Sequence, residues 1–492
     1  IGVVEVLLST AISGAIFSII GGQPLVILGV TGPVSILTIS IFNMTESLGI
    51  NFLPFYAWAQ IWAAIMHWAL AATNSCNYIR YVTRFSCETF GVLIAIIYLD
   101  TGIRGIVKYF SDEDFGRALL ELILATGVAL LSSLLSGAKS WKILNGPARE
   151  IIADYGATIS LVLWTGVSYI GRAEATSVPR VDVPDSFETT GDRNLFIDLT
   201  DIDGWAIAFA IVPGAIITIL FIFDHNVSSL LAQDDDFNLK KGSAYHWDYF
   251  VLGICIFVTG LLGIPPCNGL IPQAPLHTKA LAVTSVTKQN GVEVRQTDKV
   301  YEQRFTNLSQ ALLILLMCFF PFIKVLGFLP LSNLDGLFIF MGIASFDGNQ
   351  FYDRLVLMMT ESSLRISQHD FFGNVDFGVI KRFSIIQLAV CLVIYGITLT
   401  PAAMVFPVLI AALVAIRAFV FPRYFKQDDL QELDFIDPQH VYSGKDKANS
   451  ERRIEEYAEM VLGKGGTDES DMDAESPESG SGSDAEAAMD NR

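Results

Sequence analysis

Two apolar stretches of this chain carry the same punctuation. In GGQPLVILGVTGP, Gly21, Pro24 and Pro33 stand where Gly263, Pro266 and Pro275 stand in GIPPCNGLIPQAP, 242 residues later. Proline removes a backbone donor and clashes with a continuing helix, so these pairs predict unwound backbone inside apolar sequence. Composition makes such backbone costly. Hydrophobic residues are 52% of the 492 and charged residues only 17%, against roughly a quarter charged in an average soluble protein. Runs suited to crossing a hydrocarbon core of ~30 Å recur at 3–20, 52–73, 85–99, 118–136, 156–171, 205–231, 248–263, 308–329 and 384–422. The expected solvent is a lipid bilayer, where unwound backbone persists only if protein or a water-filled cavity satisfies it. Gly/Pro-broken segments at matching places in two halves point to the substrate site of a secondary transporter.

The repeat sets a register. A long helix at 205–230 precedes the helix leading into the second break, and its partner in the first half would fall before residue 1. With Ile1 already inside an apolar helix, the expectation is an all-α polytopic membrane protein of seven plus seven helices in an inverted repeat, with the first helix absent from this chain. Basic residues at Arg80, Arg84, Lys139, Lys142, Arg149, Lys288, Arg295, Lys299, Arg304, Lys381 and Arg382 fall in alternate connections and read as cytoplasmic. The 172–204 loop, with eight acidic residues against three arginines, reads as exterior. Asn43-Met44-Thr45 then forms an exterior glycosylation sequon.

Of the net charge of −19, most lies in residues 426–492, which hold 19 acidic and seven basic residues. That segment is expected to be a disordered cytoplasmic tail, with a short helix at 450–462 and candidate modification sites at Ser476, Ser479 and Ser481. No basic face for nucleic acid is present. Six scattered cysteines, without CxxC spacing, read as buried thiols. No HExxH, GxSxG, Walker loop or GxGxxG after a strand occurs, and the six histidines do not cluster. The expectation is a gradient-driven carrier, not an enzyme, with no cofactor and no metal.

Each broken segment should form an extended stretch followed by a half-helix. A helix N-terminus offers free N–H groups and roughly half a positive charge, so it can hold an anion or an oxygen ligand without lysine or arginine. Thr31, Gly32 and Pro33 mark the first break. Asn268 to Pro275, including Gln273 and Ala274, mark the second, with Pro275 expected as the first helical residue. Thr31 and Gln273 occupy equivalent places in the repeat. Asp224 follows the run WAIAFAIVPGAIITILFIF. An ionisable group in a membrane helix costs about 3 kcal/mol on insertion scales and is a functional candidate by default; the competing reading puts it at a helix end, in water. His277 and Lys279 are weaker candidates, since a lysine late in a half-helix can snorkel. Glu5 and Glu121, without partners in the repeat, read as packing or interface groups.

GGQPLVILGVTGP, FIFDHNVSSLL, KGSAYHWDYFVLG and GIASFDGNQFYDRL resemble the anion exchanger and bicarbonate transporter family, solute carrier family 4, and PPCNGLIPQAPLHTKAL is similar to its borate-transporter branch. The likeness covers about residues 1–425. It implies two inverted seven-helix repeats split into a core (1–75 with 205–330, including broken helices 24–42 and 265–283) and a gate (77–171 with 333–422). It further implies dimerisation through the gate and a site between the half-helices, with Asp224 matching the family's carboxylate. Animal anion exchangers carry an arginine where this chain has Gln273, which disfavours simple chloride–bicarbonate exchange. The resemblance thus implies export of borate, or of boric acid coupled to proton movement, across the plasma membrane, with the vacuolar membrane as the alternative location. A bicarbonate/chloride-type exchanger and a non-transporting membrane scaffold are the second and third readings.

Overall fold

The computed structural model describes residues 1–73, 83–111, 114–171, 177–185, 187–191, 193–233, 237–271, 273–289, 292–362 and 375–434. The first half contains α1 (Val3–Ile20), a short strand β1 (Leu28–Gly29), α2 (Gly32–Leu48), α3 (Phe52–Ala72), α4 (Arg84–Tyr109), α5 (Phe115–Ser136), α6 (Gly146–Asp154) and α7 (Gly156–Val167). After a long connection come α8 (Gly204–Phe209), α9 (Ile211–Ala232), α10 (Tyr245–Leu262), β2 (Asn268–Gly269), α11 (Gln273–Ala280) and a hairpin, β3 (Ala282–Gln289) with β4 (Val292–Val300). The remainder is α12 (Phe305–Met317), α13 (Ile323–Leu326), α14 (Leu331–Ala344), α15 (Gln350–Met359), α16 (Phe377–Thr398), α17 (Phe406–Phe419) and α18 (Gln427–Leu433). Among the described residues, seven helical stretches are long and apolar enough to cross a membrane. The offset of 242 holds to the residue for α1 and α10, each 18 residues long.

Helices α1, α3, α9, α10 and α12 pack on one another, while α4 packs with α5, α14 and α16, and α5 with α7. The breaks sit within the first group, and each is held by helices of the opposite half. For the first break, Asn307 of α12 donates to the Pro24 and Val26 carbonyls at 3.3 and 2.8 Å, and the Asp248 carboxylate of α10 accepts from the Gly22 and Gln23 N–H groups. For the second, Gln60 of α3 donates to the Ile264 carbonyl at 3.0 Å and Ser9 of α1 donates to the Pro265 carbonyl. All four side chains are at most 2% exposed. Backbone that could not persist against lipid is thus satisfied by protein.

The connection before α8 straps across both packing groups. Val181 and Leu331 exchange backbone bonds with Leu329 and Pro179, and Lys324 pairs with Asp185. Further on, Thr190 donates its N–H to Glu5 at 2.7 Å, and Arg193 donates to the Leu262 and Gly263 carbonyls at 3.1 Å each. Glu5 is therefore a clamp for this strap, not a plain packing group; it also accepts from Gly2 N at 2.9 Å. Glu121 is 1% exposed and lies 4.0 Å from Arg117.

Several expectations are corrected. The half-helices run over Gly32–Leu48 and Gln273–Ala280, not to 42 and 283, because Gly49 in the left-handed region closes the first and the hairpin replaces the second. The sequon lies inside α2, where Thr45 is buried and bonds the Phe42 carbonyl at 2.8 Å, so it is not a loop acceptor. The acidic tail does not begin at 426: α18 is ordered, with Leu430, Leu433 and Asp434 buried and Asp434 paired with Arg417. The proposed 450–462 helix and the three serines lie outside the described residues.

Asn307→Leu strands two buried carbonyls, and leaving such groups unsatisfied costs about 1–3 kcal/mol. A lowered unfolding midpoint of the detergent-solubilised protein is expected, and an unchanged midpoint would show that the first break needs no brace from α12.

Candidate functional site

The extended stretches that leave α1 and α10 cross antiparallel, with Leu28 opposite Gly269 and Gly29 opposite Asn268. Leu270 N donates to the Ile27 carbonyl at 2.9 Å. The half-helices α2 and α11 begin within a few residues of this crossing. Glycine is required at 269: a Cβ there would lie 2.8 Å from Ser228 Cβ and 3.2 Å from His225 Nδ1 on α9.

Asp224 sits on α9, eight residues before the helix ends at Ala232, and is 2% exposed. The helix-end reading is therefore overturned. Its Oδ2 accepts from Asn268 Nδ2 at 2.7 Å and from Thr31 Oγ1 at 3.4 Å. One carboxylate oxygen thus joins the first break to the second. Thr31 occupies the N-cap position of α2 but does not cap it, since its hydroxyl turns to Asp224. Asn268 is fully buried, and its Oδ1 has no hydrogen-bond partner among the described atoms.

The other expected site residues surround this bond to different degrees. Gly32 opens α2 and Pro33 follows it, buried. Ala274 is buried and continues the backbone ladder to Leu270. Pro275 is the third residue of α11 rather than the first, because the helix already starts at Gln273. Gln273 itself is exposed at the head of α11, and its side chain forms no hydrogen bond among the described residues. His277 braces the scaffold: Nδ1 lies 2.9 Å from the Leu25 carbonyl and Nε2 2.6 Å from Thr306 Oγ1. Lys279 is exposed.

Two neighbours escaped the sequence reading. Tyr98 of α4 lies against the start of α2, with Cε1 3.2 Å from where a Cβ on Gly32 would be. His225, directly after Asp224, is 1% exposed, and neither ring nitrogen has a hydrogen-bond partner among the described atoms. A lone phenol or imidazole in an apolar helix is the only sequence signal either one gives. Among the described residues, no group of three or more His, Cys, Asp or Glu could hold a metal ion.

The site therefore offers a buried carboxylate, an open amide oxygen, an uncapped helix start and an exposed glutamine. Such a set suits a small ligand rich in hydroxyl or oxygen groups. Gly269→Ala forces Ser228 or the second extended stretch to move, so reduced flux and a lower unfolding midpoint are expected together; wild-type values for both would rule out the close crossing.

Residues 1–118 and 116–438 match the family described as HCO3- transporter integral membrane domain. A putative transporter of Schizosaccharomyces pombe is 33% identical over 442 residues, covering 88% of this chain and 84% of that protein. Boron transporter 1 of Saccharomyces cerevisiae is 33% identical over 447 residues, covering 88% and 75%. Probable boron transporter 3 of Arabidopsis thaliana is 33% identical over 530 residues, covering 88% and 72%. Among solved structures, the transmembrane domain of the cyanobacterial bicarbonate transporter BicA aligns with a TM-score of 0.50 at 15% identity, covering 78% of this chain and 88% of that one. SLC26A9 aligns with a TM-score of 0.50 at 14% identity, covering 86% and 62%. At these identities the two structures speak to fold alone, a mostly helical inverted-repeat membrane architecture; the β3–β4 hairpin departs from the all-α expectation.

Proposed function

We propose that this chain, which belongs to the bicarbonate transporter family by a match running over residues 1–438, is a secondary transporter that exports boron, as borate or as boric acid with compensating proton movement. The observation that carries this reading is the bond from Asp224 Oδ2 to Asn268, with Asn268 Oδ1 left open. Each B–OH group both donates and accepts, so a carboxylate acceptor beside an amide that can bond either way suits it. Gln273, exposed at the head of α11, can add the same two-way bonding. The naming of several similar fungal and plant proteins as boron transporters supports the same substrate.

Transport would proceed by alternating access, the helices that carry the breaks (1–75 and 205–330) moving against a gate built from 77–171 and 333–422. Tyr98, on α4 of that gate, would meet the substrate from the opposite side. Dimerisation through the gate, a plasma-membrane location and a cytoplasmic C-terminus complete the reading. A compact-anion exchanger remains the second reading because a helix start binds any small anion.

Asp224→Asn is expected to abolish boron flux in proteoliposomes while the purified protein stays folded; unchanged flux would remove Asp224 from the site. Gln273→Arg is expected to shift the carrier toward compact anions, read as gained chloride exchange with reduced boron flux. Strict dependence of the wild type on trans chloride would instead favour the exchanger.

A further inference from the structure

The two breaks are built on one repeat but are not closed in the same way. Where α10 ends, Gly263 adopts a left-handed conformation (φ 60°), and the N–H groups of Gly263 and Ile264 return to the carbonyls of Gly260 and Thr259, each at 3.0 Å. The second break is thus closed by its own helix. Where α1 ends, Gly21 is extended (φ −58°, ψ 148°), and the next two N–H groups have no such return. The Asp248 carboxylate takes them instead: Oδ1 accepts from Gly22 N, and Gln23 N lies 3.2 Å from Oδ2 and 3.3 Å from Oδ1. Neighbouring groups close the same helix end, with Trp247 Nε1 on the Ile20 carbonyl at 2.6 Å and Arg304 Nη1 on the Ser18 carbonyl at 2.9 Å.

Asp248 is 1% exposed and lies in the first turn of α10. A carboxylate there could serve only its own helix dipole, but both of its oxygens are engaged by the other repeat. Gly22 is fitted to this contact, since a Cβ would lie 2.3 Å from Ala244 Cβ and 3.1 Å from Asp248 Oδ1. From Gln23 the chain turns at Pro24 and Leu25 and then passes through β1 to Thr31, whose hydroxyl reaches Asp224.

We infer that Asp248 is a positioning residue for transport: by anchoring the first break at its start, it sets where Thr31 and the head of α2 stand relative to Asp224. The inference rests on the carrier reading, and its test separates the two. Wild-type protein, Asp248→Asn, Asp248→Ala, Asp248→Glu and Gly22→Ala are compared in proteoliposomes for boron counterflow, alongside monodispersity in detergent. Absence of wild-type boron flux would sink the carrier reading itself. With wild-type flux present, Asp248→Asn and Gly22→Ala are expected to raise KM about tenfold with a smaller change in turnover, the pattern of weakened substrate binding at a displaced site. Asp248→Glu should recover part of that loss.

Thr31→Val combined with Asp248→Asn should raise KM no further than the worse single change, because both act through one segment. Unchanged KM in the Asn and Gly22 variants, a fall in turnover alone, or multiplying KM effects in the double variant would each overturn the assignment. If Asp248→Ala does not fold, the Asn, Glu and Gly22→Ala variants still decide the matter.

Discussion

Everything at the site depends on unwound backbone being satisfied by protein side chains. A peptide group in hydrocarbon finds no partner, so each interruption of a membrane helix must be matched by a donor or acceptor from elsewhere. Here the matching crosses the repeat. Asn307 and Asp248 from the second half serve the first break, while Gln60 and Ser9 from the first half serve the second. Neither half can form its own site alone. The crossing of β1 with β2, and the bond from Asp224 to both breaks, follow from that mutual dependence.

The polar atoms at the centre divide into those already engaged and those left over. Thr31 Oγ1 and Asn268 Nδ2 are directed to Asp224, which keeps a buried carboxylate hydrogen-bonded. The amide oxygen of Asn268 and the exposed Gln273 are not so engaged. A substrate that both donates and accepts can use these groups without a fixed positive side chain. An arginine at 273 would add a permanent charge and five donors with no acceptor.

Much of this was legible in the sequence because the breaks are written in glycine and proline. The 242-residue offset paired α1 with α10, the breaks led to Thr31 and Asn268, and a lone carboxylate after an apolar helical run led to Asp224. Where it fell short, the reasons are physical. Pro275 looked like a helix start, yet the helix gains two further residues at Gln273 and Ala274. The helix Leu331–Ala344 is apolar but only 14 residues long, short of a full membrane span. Asn290-Gly291 is a hairpin signal, but Lys288, Glu293, Arg295, Asp298 and Lys299 around it fit a solvated loop equally well. The roles of Glu5, Tyr98 and Asp248 depend on partners 185, 66 and 226 residues away in sequence, as Glu5 with Thr190, Tyr98 with Gly32 and Asp248 with Gly22 show. Contacts of that kind leave no local pattern.

The strap before α8 imposes a mechanical limit. Pro179 accepts from Leu331 N at the head of α14, and Thr190 is fixed to Glu5 on α1. Eleven residue steps join these anchors, and a chain at full extension gains at most about 3.6 Å per residue, so the anchors stay within roughly 40 Å while both hold. Any larger separation of these two points must first detach one end. The length of this leash, rather than the depth of the bilayer, then caps the travel available before a contact is sacrificed.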